Sequence, residues 1–344
     1  MTKKNQAVVP GAEAERPEPR PSVVTAIVVA KERYRQFCRL ILYAPEISRK
    51  AYPGQFINVY LDPTFGEPSW ERMSIPPALM LPRPFSIADV QTVRKPSGSH
   101  FSDQWDDAGL TLFFDLRSMG TRILAQLTPQ APLRIAGPLG KGFWLPDGGA
   151  QPVLVAGGIG LAPFPFLVKR LLSVGLKPVV LVGARQSGDL PMDPVRATEP
   201  ITAEGQPLSV WSLDEWAGKG VLVAVALEKK EEGFFHGTVI DLLVSFLDSR
   251  KEPVRFALYG CGPMPMLKAL SKIAQEREIP LQVATEERMA CGLGLCFGCP
   301  IPSLNGSYRL CCVDGPVFDA SQVDWSRAGA LHPSLVSAGG REDQ

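Results

Sequence analysis

Five of the seven cysteines in this 344-residue chain fall within 22 positions, at 291, 296, 299, 311 and 312. No other feature restricts the fold as strongly. Such crowding makes a poor disulfide framework, and the odd total leaves one thiol over. In a reducing compartment it points to metal or redox chemistry instead. The order is Cys291-x4-Cys296-x2-Cys299, then twelve residues, then Cys312. A C-x4-C-x2-C run with a later fourth cysteine is the plant-type 2Fe–2S spacing. Two bridged irons need four thiolates, and a tight loop must wrap them and aim backbone amides at the sulfurs. Gly292, Gly294 and Gly298 let the backbone come that close. Structural zinc is the competing use, but zinc favours paired C-x2-C knuckles and only one such pair is present. Spacing alone leaves Cys311 and Cys312 as alternatives for the fourth ligand. Adjacent residues point their side chains differently, so one of the two is expected to bind.

The remaining length is too great for one compact core and implies two or three units. From Ser22 to about Asp147, short apolar runs such as VVTAIVVAKE, GQFINVYL and LTLFFDLR alternate with Pro, Gly and charge. That pattern predicts an antiparallel barrel or sandwich, interrupted by loops at about 62–82 and 94–109. Near Gln151 the period changes. PVLVA, the glycines of GGIG, the helical FPFLVKRLL and the apolar KPVVLVGA read as strand, loop, helix, strand. Pro163 and Pro165 fall in that helix's first turn, where the amide hydrogens have no helical partner anyway. VLVAVAL, a helix over about 237–249, the strand VRFALYG and the helix PMPMLKALSKIAQERE complete a doubly wound α/β unit ending near Pro280. A net charge of +1 gives no reason to expect nucleic acid or an anionic membrane surface as partner. No apolar run of transmembrane length and no secretory leader is expected, which predicts a cytoplasmic protein with a disordered lead rich in Pro, Glu and Ala.

Two glycine turns carry the nucleotide reading. Gly157, Gly158 and Gly160 lie between a predicted strand and helix, where backbone amides and the helix terminus favour a phosphate. Glycines placed there for packing alone are the alternative. A second turn, Tyr259-Gly260-Cys261-Gly262-Pro263, also follows an apolar strand and opens a helix. Two such turns at strand C-termini suit a nucleotide lying across the sheet's carboxyl edge. Cys261 would then lie near a nicotinamide ring, or serve as a small buried apolar residue. In the β region, Arg83-Pro84-Phe85-Ser86 sets a cation and a hydroxyl three residues apart, suited to the pyrophosphate and the N5/O4 edge of a flavin. Gly120-Thr121 adds a turn with amides and a hydroxyl. Arg185, after the second α/β strand, could meet a 2′-phosphate or stand in solvent.

Taken together, YGCGPMPMLKAL, EERMACGLGLCFGC and CCVDGPVFDA, with RPFSI, the Gly-Thr at 120–121, GPLGKGF at 137–143 and AGGIGLAP, resemble the electron-transfer subunits of the NAD-dependent, two-subunit dihydroorotate dehydrogenases. These belong to the ferredoxin–NADP reductase superfamily. The resemblance runs over roughly residues 22–325. It implies a lead over 1–21, an antiparallel FAD-binding β-barrel over 22–148, a doubly wound NAD-binding α/β unit over 149–281, a small 2Fe–2S module over 282–326 and a tail over 327–344. It implies cluster ligands at Cys291, Cys296, Cys299 and Cys312, the last through its C-x-D-G-P-V-F setting. FAD contacts are implied at Arg83, Pro84, Phe85, Ser86, Phe113, Phe114, Asp115, Gly120 and Thr121, and NAD contacts at Gly157, Gly158, Gly160, Cys261 and Gly262. The chain departs from the family pattern in having Phe113-Phe114-Asp115 where an arginine is usual, with Arg117 two residues later. The implied partner is an FMN-containing catalytic subunit, two copies of each chain, with electrons passing from its FMN through the cluster and FAD to NAD+. Flavin–iron–sulfur subunits serving a hydrogenase, a sulfite reductase or ferredoxin are the related alternatives, and a metal-binding regulator without flavin is the alternative from outside this class.

The cofactor order has its own logic. Nicotinamide exchanges two electrons as a hydride and a 2Fe–2S cluster exchanges one at a time, so a flavin must stand between them. No residue looks like a base for substrate oxidation, and His100, His236 and His332 have no catalytic-looking neighbours in sequence. Substrate chemistry is therefore expected on the partner. Met289, Leu293, Leu295 and Phe297 crowd the cysteine loop. Some are expected to face that partner and some to pack inside the module.

Overall fold

The computed structural model describes residues 21–61, 81–93, 107–191, 195–196, 201–203, 206–208, 210–212, 216, 218–250 and 254–329. The expected lead, the tail beyond 329 and most of the loops at 62–82 and 94–109 lie outside them.

The β region is a closed six-stranded antiparallel barrel. Its strands are β1 (Ser22–Tyr34), β2 (Phe37–Tyr43), β3 (Phe56–Tyr60), β4 (Arg83–Val93), β5 (Asp107–Asp115) and β6 (Pro132–Leu139), in the order β1-β2-β5-β4-β3-β6. Short helices α1 (Pro45–Ser48) and α2 (Met119–Leu124) lie between strands. Alternation sends Ile57, Val59, Ile87, Leu110, Leu112 and Ile135 into one core. In β3, however, the outward residues Phe56 and Asn58 are buried too, at 3% and 1% exposure. Phe56 belongs to a second core, shared with Cys299, Ile301, Cys311, Cys312 and Phe318. The cysteine-rich segment packs on the outside of the barrel there.

The second unit is built on β7 (Gln151–Gly157), α3 (Phe164–Ser173), β8 (Val179–Ala184), β9 (Val195–Arg196), β10 (Ile201–Ala203), β11 (Gln206–Leu208), β12 (Val210–Ser212), β13 (Leu222–Leu227), β14 (Phe235–His236), α4 (Val239–Asp248), β15 (Phe256–Cys261), α5 (Met264–Glu276) and β16 (Leu281–Ala284). Its parallel strands run β13-β8-β7-β15-β16. The chain moves outward from β7 to β13, then returns to β15 on the other side of β7. This reversal opens a crevice at the carboxyl ends of β7 and β15, where both glycine turns lie. Helix α4 shows why these segments are helical: Val239, Leu242, Leu243, Phe246 and Leu247 bury one stripe against the sheet. Thr238 and Asp241 close its N-terminus with a reciprocal capping box. Pro165 and Pro265 sit in the first turns of α3 and α5, where the sequence reading placed the first of them.

The cysteine-rich segment adds a hairpin, β17 (Pro300–Pro302) with β18 (Tyr308–Leu310), and a strand β19 (Val317–Asp319) that runs antiparallel to β16 and extends the large sheet to nine strands on its far edge. It also meets the barrel backbone to backbone. The Lys141 amide donates to the Gly315 carbonyl at 2.5 Å. A Cβ at Gly140 would stand 2.5 Å from that same carbonyl oxygen, and Gly140 has φ +70°. Both the left-handed backbone and the contact demand glycine. Gly140→Ala should therefore destabilise the protein by about 2 kcal/mol or more, read as a lower urea midpoint at unchanged slope; an unchanged midpoint would refute the contact.

Candidate functional site

The five clustered cysteines face two ways. Cys291 is half-buried, Cys296 exposed, and Cys299 and Cys312 are buried at 2% exposure each. The Gly294 amide donates to Cys312 Sγ at 3.2 Å, and the Leu293 amide to Cys291 Sγ at 3.4 Å. The amides of Cys296 and Leu295 and the Cys296 thiol also act on Cys291 in favour of its thiolate. Cys312 is acted on most strongly, after burial, by Cys299. The strongest influences between these thiols run between 291 and 296 and between 299 and 312. A two-iron cluster asks for this arrangement, two thiolates to each iron. Among the described residues no three such groups meet around one point. Cys311 turns away: its thiol meets the Thr285 hydroxyl at 3.4 Å and carbonyl at 3.5 Å, behind the module.

The loop's amides act on its sulfurs. Burial works to raise the Cys291 thiol, but the amides of Leu293, Cys296 and Leu295 outweigh it and bring the pKa down to about 7. Those N–H groups favour a thiolate, and so suit a ligand to iron. Cys312 is pushed up to about 12, first by burial and then by Cys299. Cys311 rises further, mainly through burial.

Gly292 and Gly294 have φ +68° and +79°, and Phe297 is a non-glycine residue at φ +54°. Such strain is held where surrounding structure requires it. The loop's apolar residues divide. Met289 packs against the shared core, whereas Leu293, Leu295 and Phe297 stand out at 45%, 76% and 72% exposure.

At the crevice, the glycine turns pack on each other. A Cβ on Gly160 would lie 2.2 Å from the Cys261 carbonyl oxygen, and one on Gly157 would meet Met266 and Pro263 at under 3 Å. Gly262 has φ +157° and backs onto the Gly157 amide. Packing alone therefore requires Gly157, Gly160 and Gly262. Gly158 differs, with φ +54° and nothing within 4 Å of an added Cβ; it borders open space where a ligand would lie. Cys261 is 3% exposed in the core beside Tyr259, and burial raises its thiol well above the ordinary range.

On the barrel side, the strand alternates. Phe85 points inward against Phe114, ring centroids 5.3 Å apart, while Arg83, Pro84 and Ser86 are partly exposed. Phe113 stacks on Phe37, and Asp115 pairs with Arg117 at 3.3 Å. Gly120 is buried. The Thr121 amide donates to Ser118 Oγ and the Thr121 hydroxyl to the Ser118 carbonyl, so both serve the cap of α2. Arg185 pairs with Asp189 at 3.2 Å and, with Gln186, Glu228 and Lys229, lines an open pocket beyond β8 and β13. Of the three histidines, His236 is exposed and the other two lie outside the described residues.

Sequence reasoning missed Glu286. Cys261 is the register partner of Ala284, so Glu286 emerges two residues past it, within electrostatic reach of Cys261 and of Asp115 on the barrel. Its side chain is exposed, with protein crowded beside it. That crowding, and then Asp115, hold its carboxyl above the usual range. No spacing rule could have found it, because its neighbours come from two other strands.

Residues 286–324 match the family model described as the iron–sulfur cluster binding domain of dihydroorotate dehydrogenase B. The dihydroorotate dehydrogenase B (NAD+) electron transfer subunit of Desulforamulus reducens is 34% identical over 285 residues, 82% of this chain and 90% of that one. The chain belongs to this family of electron transfer subunits. Its counterpart in Shouchella clausii is 28% identical over 311 residues, 88% of this chain and 96% of that one. The solved structure of an NADH-dependent reduced ferredoxin–NADP oxidoreductase matches the fold with a TM-score of 0.65 at 22% identity, over 89% of this chain and 91% of that one. The barrel followed by a doubly wound sheet is thus the architecture expected from the sequence. Within the family frame, the cluster-binding match begins at Glu286 and spans all five clustered cysteines.

The thiol directions separate two neighbours that spacing could not. Cys312→Ser should lose most of the iron and sulfide from protein purified without oxygen, while Cys311→Ser should retain about two of each per chain. Equal loss from both would reject the assignment.

Proposed function

We propose that this chain is the electron transfer subunit of a dihydroorotate dehydrogenase serving pyrimidine biosynthesis in the cytoplasm. It links an FMN-containing catalytic subunit to NAD+, in an assembly with two copies of each chain. The observation that carries this reading is a loop holding Cys291, Cys296 and Cys299 that packs directly on the barrel, donates its Gly294 amide to Cys312 Sγ and presents an exposed apolar rim. When bound, FAD exchanges a hydride with nicotinamide and single electrons with a 2Fe–2S cluster. The chain's own residues bind, orient and shield.

Arg83 and Ser86, partly exposed on opposite faces at the start of β4, are assigned to the flavin's pyrophosphate and ring edge. Gly158 opens the crevice to the NAD pyrophosphate. At the outer pocket Asp189 already occupies Arg185, and Glu228 stands nearby. Carboxylates there suit the ribose hydroxyls of NAD and oppose a 2′-phosphate. Glu286, two residues past the carboxyl end of β16 and next to the crevice strand that ends at Cys261, is assigned to the nicotinamide–flavin contact region.

Leu295 and Phe297 are assigned to the catalytic partner. Exposed apolar groups beside an electron-transfer centre fit the buried middle of an interface. Leu295→Asp and Phe297→Asp should each weaken partner binding by about 30-fold, the 2 kcal/mol of an interface hot spot, with FAD content unchanged; unaltered assembly would reject the surface. Co-expression with the catalytic subunit tests the whole reading. The complex should form NADH from dihydroorotate, while the isolated chain should oxidise NADH with ferricyanide and leave dihydroorotate untouched. Turnover of dihydroorotate by the isolated chain would overturn the proposal.

A further inference from the structure

Asn58 is the one residue of β3 whose burial has no apolar reason. It lies on the barrel's outer face at 1% exposure. In register it stands opposite Pro84 of the Arg83–Ser86 strand on one side and Ala136 on the other. Its Nδ2 donates to the carbonyl oxygen of Cys291 at 2.9 Å. Gly292 is pressed onto the same carboxamide: a Cβ there would be 2.3 Å from Nδ2 and 2.9 Å from Oδ1. Its Oδ1 is buried without a hydrogen-bond partner among the described residues. A buried amide with an unsatisfied oxygen is costlier than an apolar side chain of the same size. Adhesion between loop and barrel would be served better by leucine, as Phe56 serves it one turn of the pleat away. What leucine lacks is a donor that fixes the direction of the Cys291 carbonyl, and with it the first thiol of the loop.

We infer that Asn58 is a positioning residue that holds the cluster loop at a set distance and angle from the flavin strand. The inference rests on the assignment of the cluster to Cys291, Cys296, Cys299 and Cys312 and of the flavin to Arg83–Ser86. Asn58 touches Cys291 through one side-chain bond while its own backbone is paired to the flavin strand, so one residue spans both sites. Electron transfer falls steeply with separation, and a loop released from this bond is free to shift by its own slack. A hydride step that involves only the crevice and the flavin has no such dependence.

The test uses the full chain with both cofactors. Asn58→Leu keeps the volume and removes the donor; Gly292→Ala strikes the same contact from the loop side. FAD, iron and sulfide are measured first, then reduction by NADH is followed at the flavin and cluster bands by stopped flow, with hydrogen exchange over residues 289–295. Asn58→Leu should reduce FAD at the wild-type rate but slow cluster reduction by about ten-fold or more, and should raise exchange over 289–295. Gly292→Ala should give the same split. Variants with full cofactor content, wild-type cluster reduction and wild-type exchange would overturn the inference alone. Wild-type protein lacking iron and sulfide would overturn the cofactor assignment and the inference with it.

Discussion

The arrangement depends on one strand being buried on both faces. β3 gives Ile57 and Val59 to the barrel core, and Phe56 and Asn58 to the contact with the cysteine-rich module. A barrel strand normally shows one face to solvent, with polar residues there. Here that face is covered, and burial of Phe56 alone contributes about 1.5–3 kcal/mol. The same contact fixes where the cysteine loop sits relative to Arg83–Ser86, because β3 is paired directly to that strand. Stability and the placement of the cysteine loop are therefore set by the same surface.

The module is anchored on its other side as well. β19 pairs with β16 at the edge of the nine-stranded sheet, and the Thr285 amide donates to the Pro316 carbonyl. Barrel, sheet and cysteine-rich module thus share backbone contacts in addition to the Asn58 side-chain bond to the loop. Close approach explains the glycines at 140 and 292, each in the left-handed region and each pressed against a neighbour from another unit. A further clamp lies farther out, where the β1–β2 turn reaches the 187–188 segment. Arg35 donates there to the Ser187 carbonyl and Gln36 to the Gly188 carbonyl.

Much of this was legible in the sequence. The change from alternating runs to strand–glycine–helix units near Gln151 located the transition from barrel to sheet, because side-chain period follows directly from backbone geometry. The prolines opening α3 and the capping pair of α4 obey local rules. Less legible were the roles of single residues. Gly157, Gly160 and Gly262 have the phosphate-turn pattern, yet packing between two turns already demands them. Thr121 carries a hydroxyl in the expected place, yet a local cap consumes it. Glu286 and Asn58 have no motif at all, since their neighbours lie on strands distant in the chain.

By itself the sequence determined that four closely spaced thiols, a β region and an α/β region with two glycine turns must coexist, because spacing, period and turn chemistry are local properties. Tertiary structure turned the Cys312 thiol toward the loop and the Cys311 thiol toward Thr285, placed Met289 against the core and Phe297 at the surface, and determined which groups meet across the units. The reason is that a side chain's direction and burial depend on what packs over it. For the cysteine loop, that covering surface is supplied by a strand more than two hundred residues earlier.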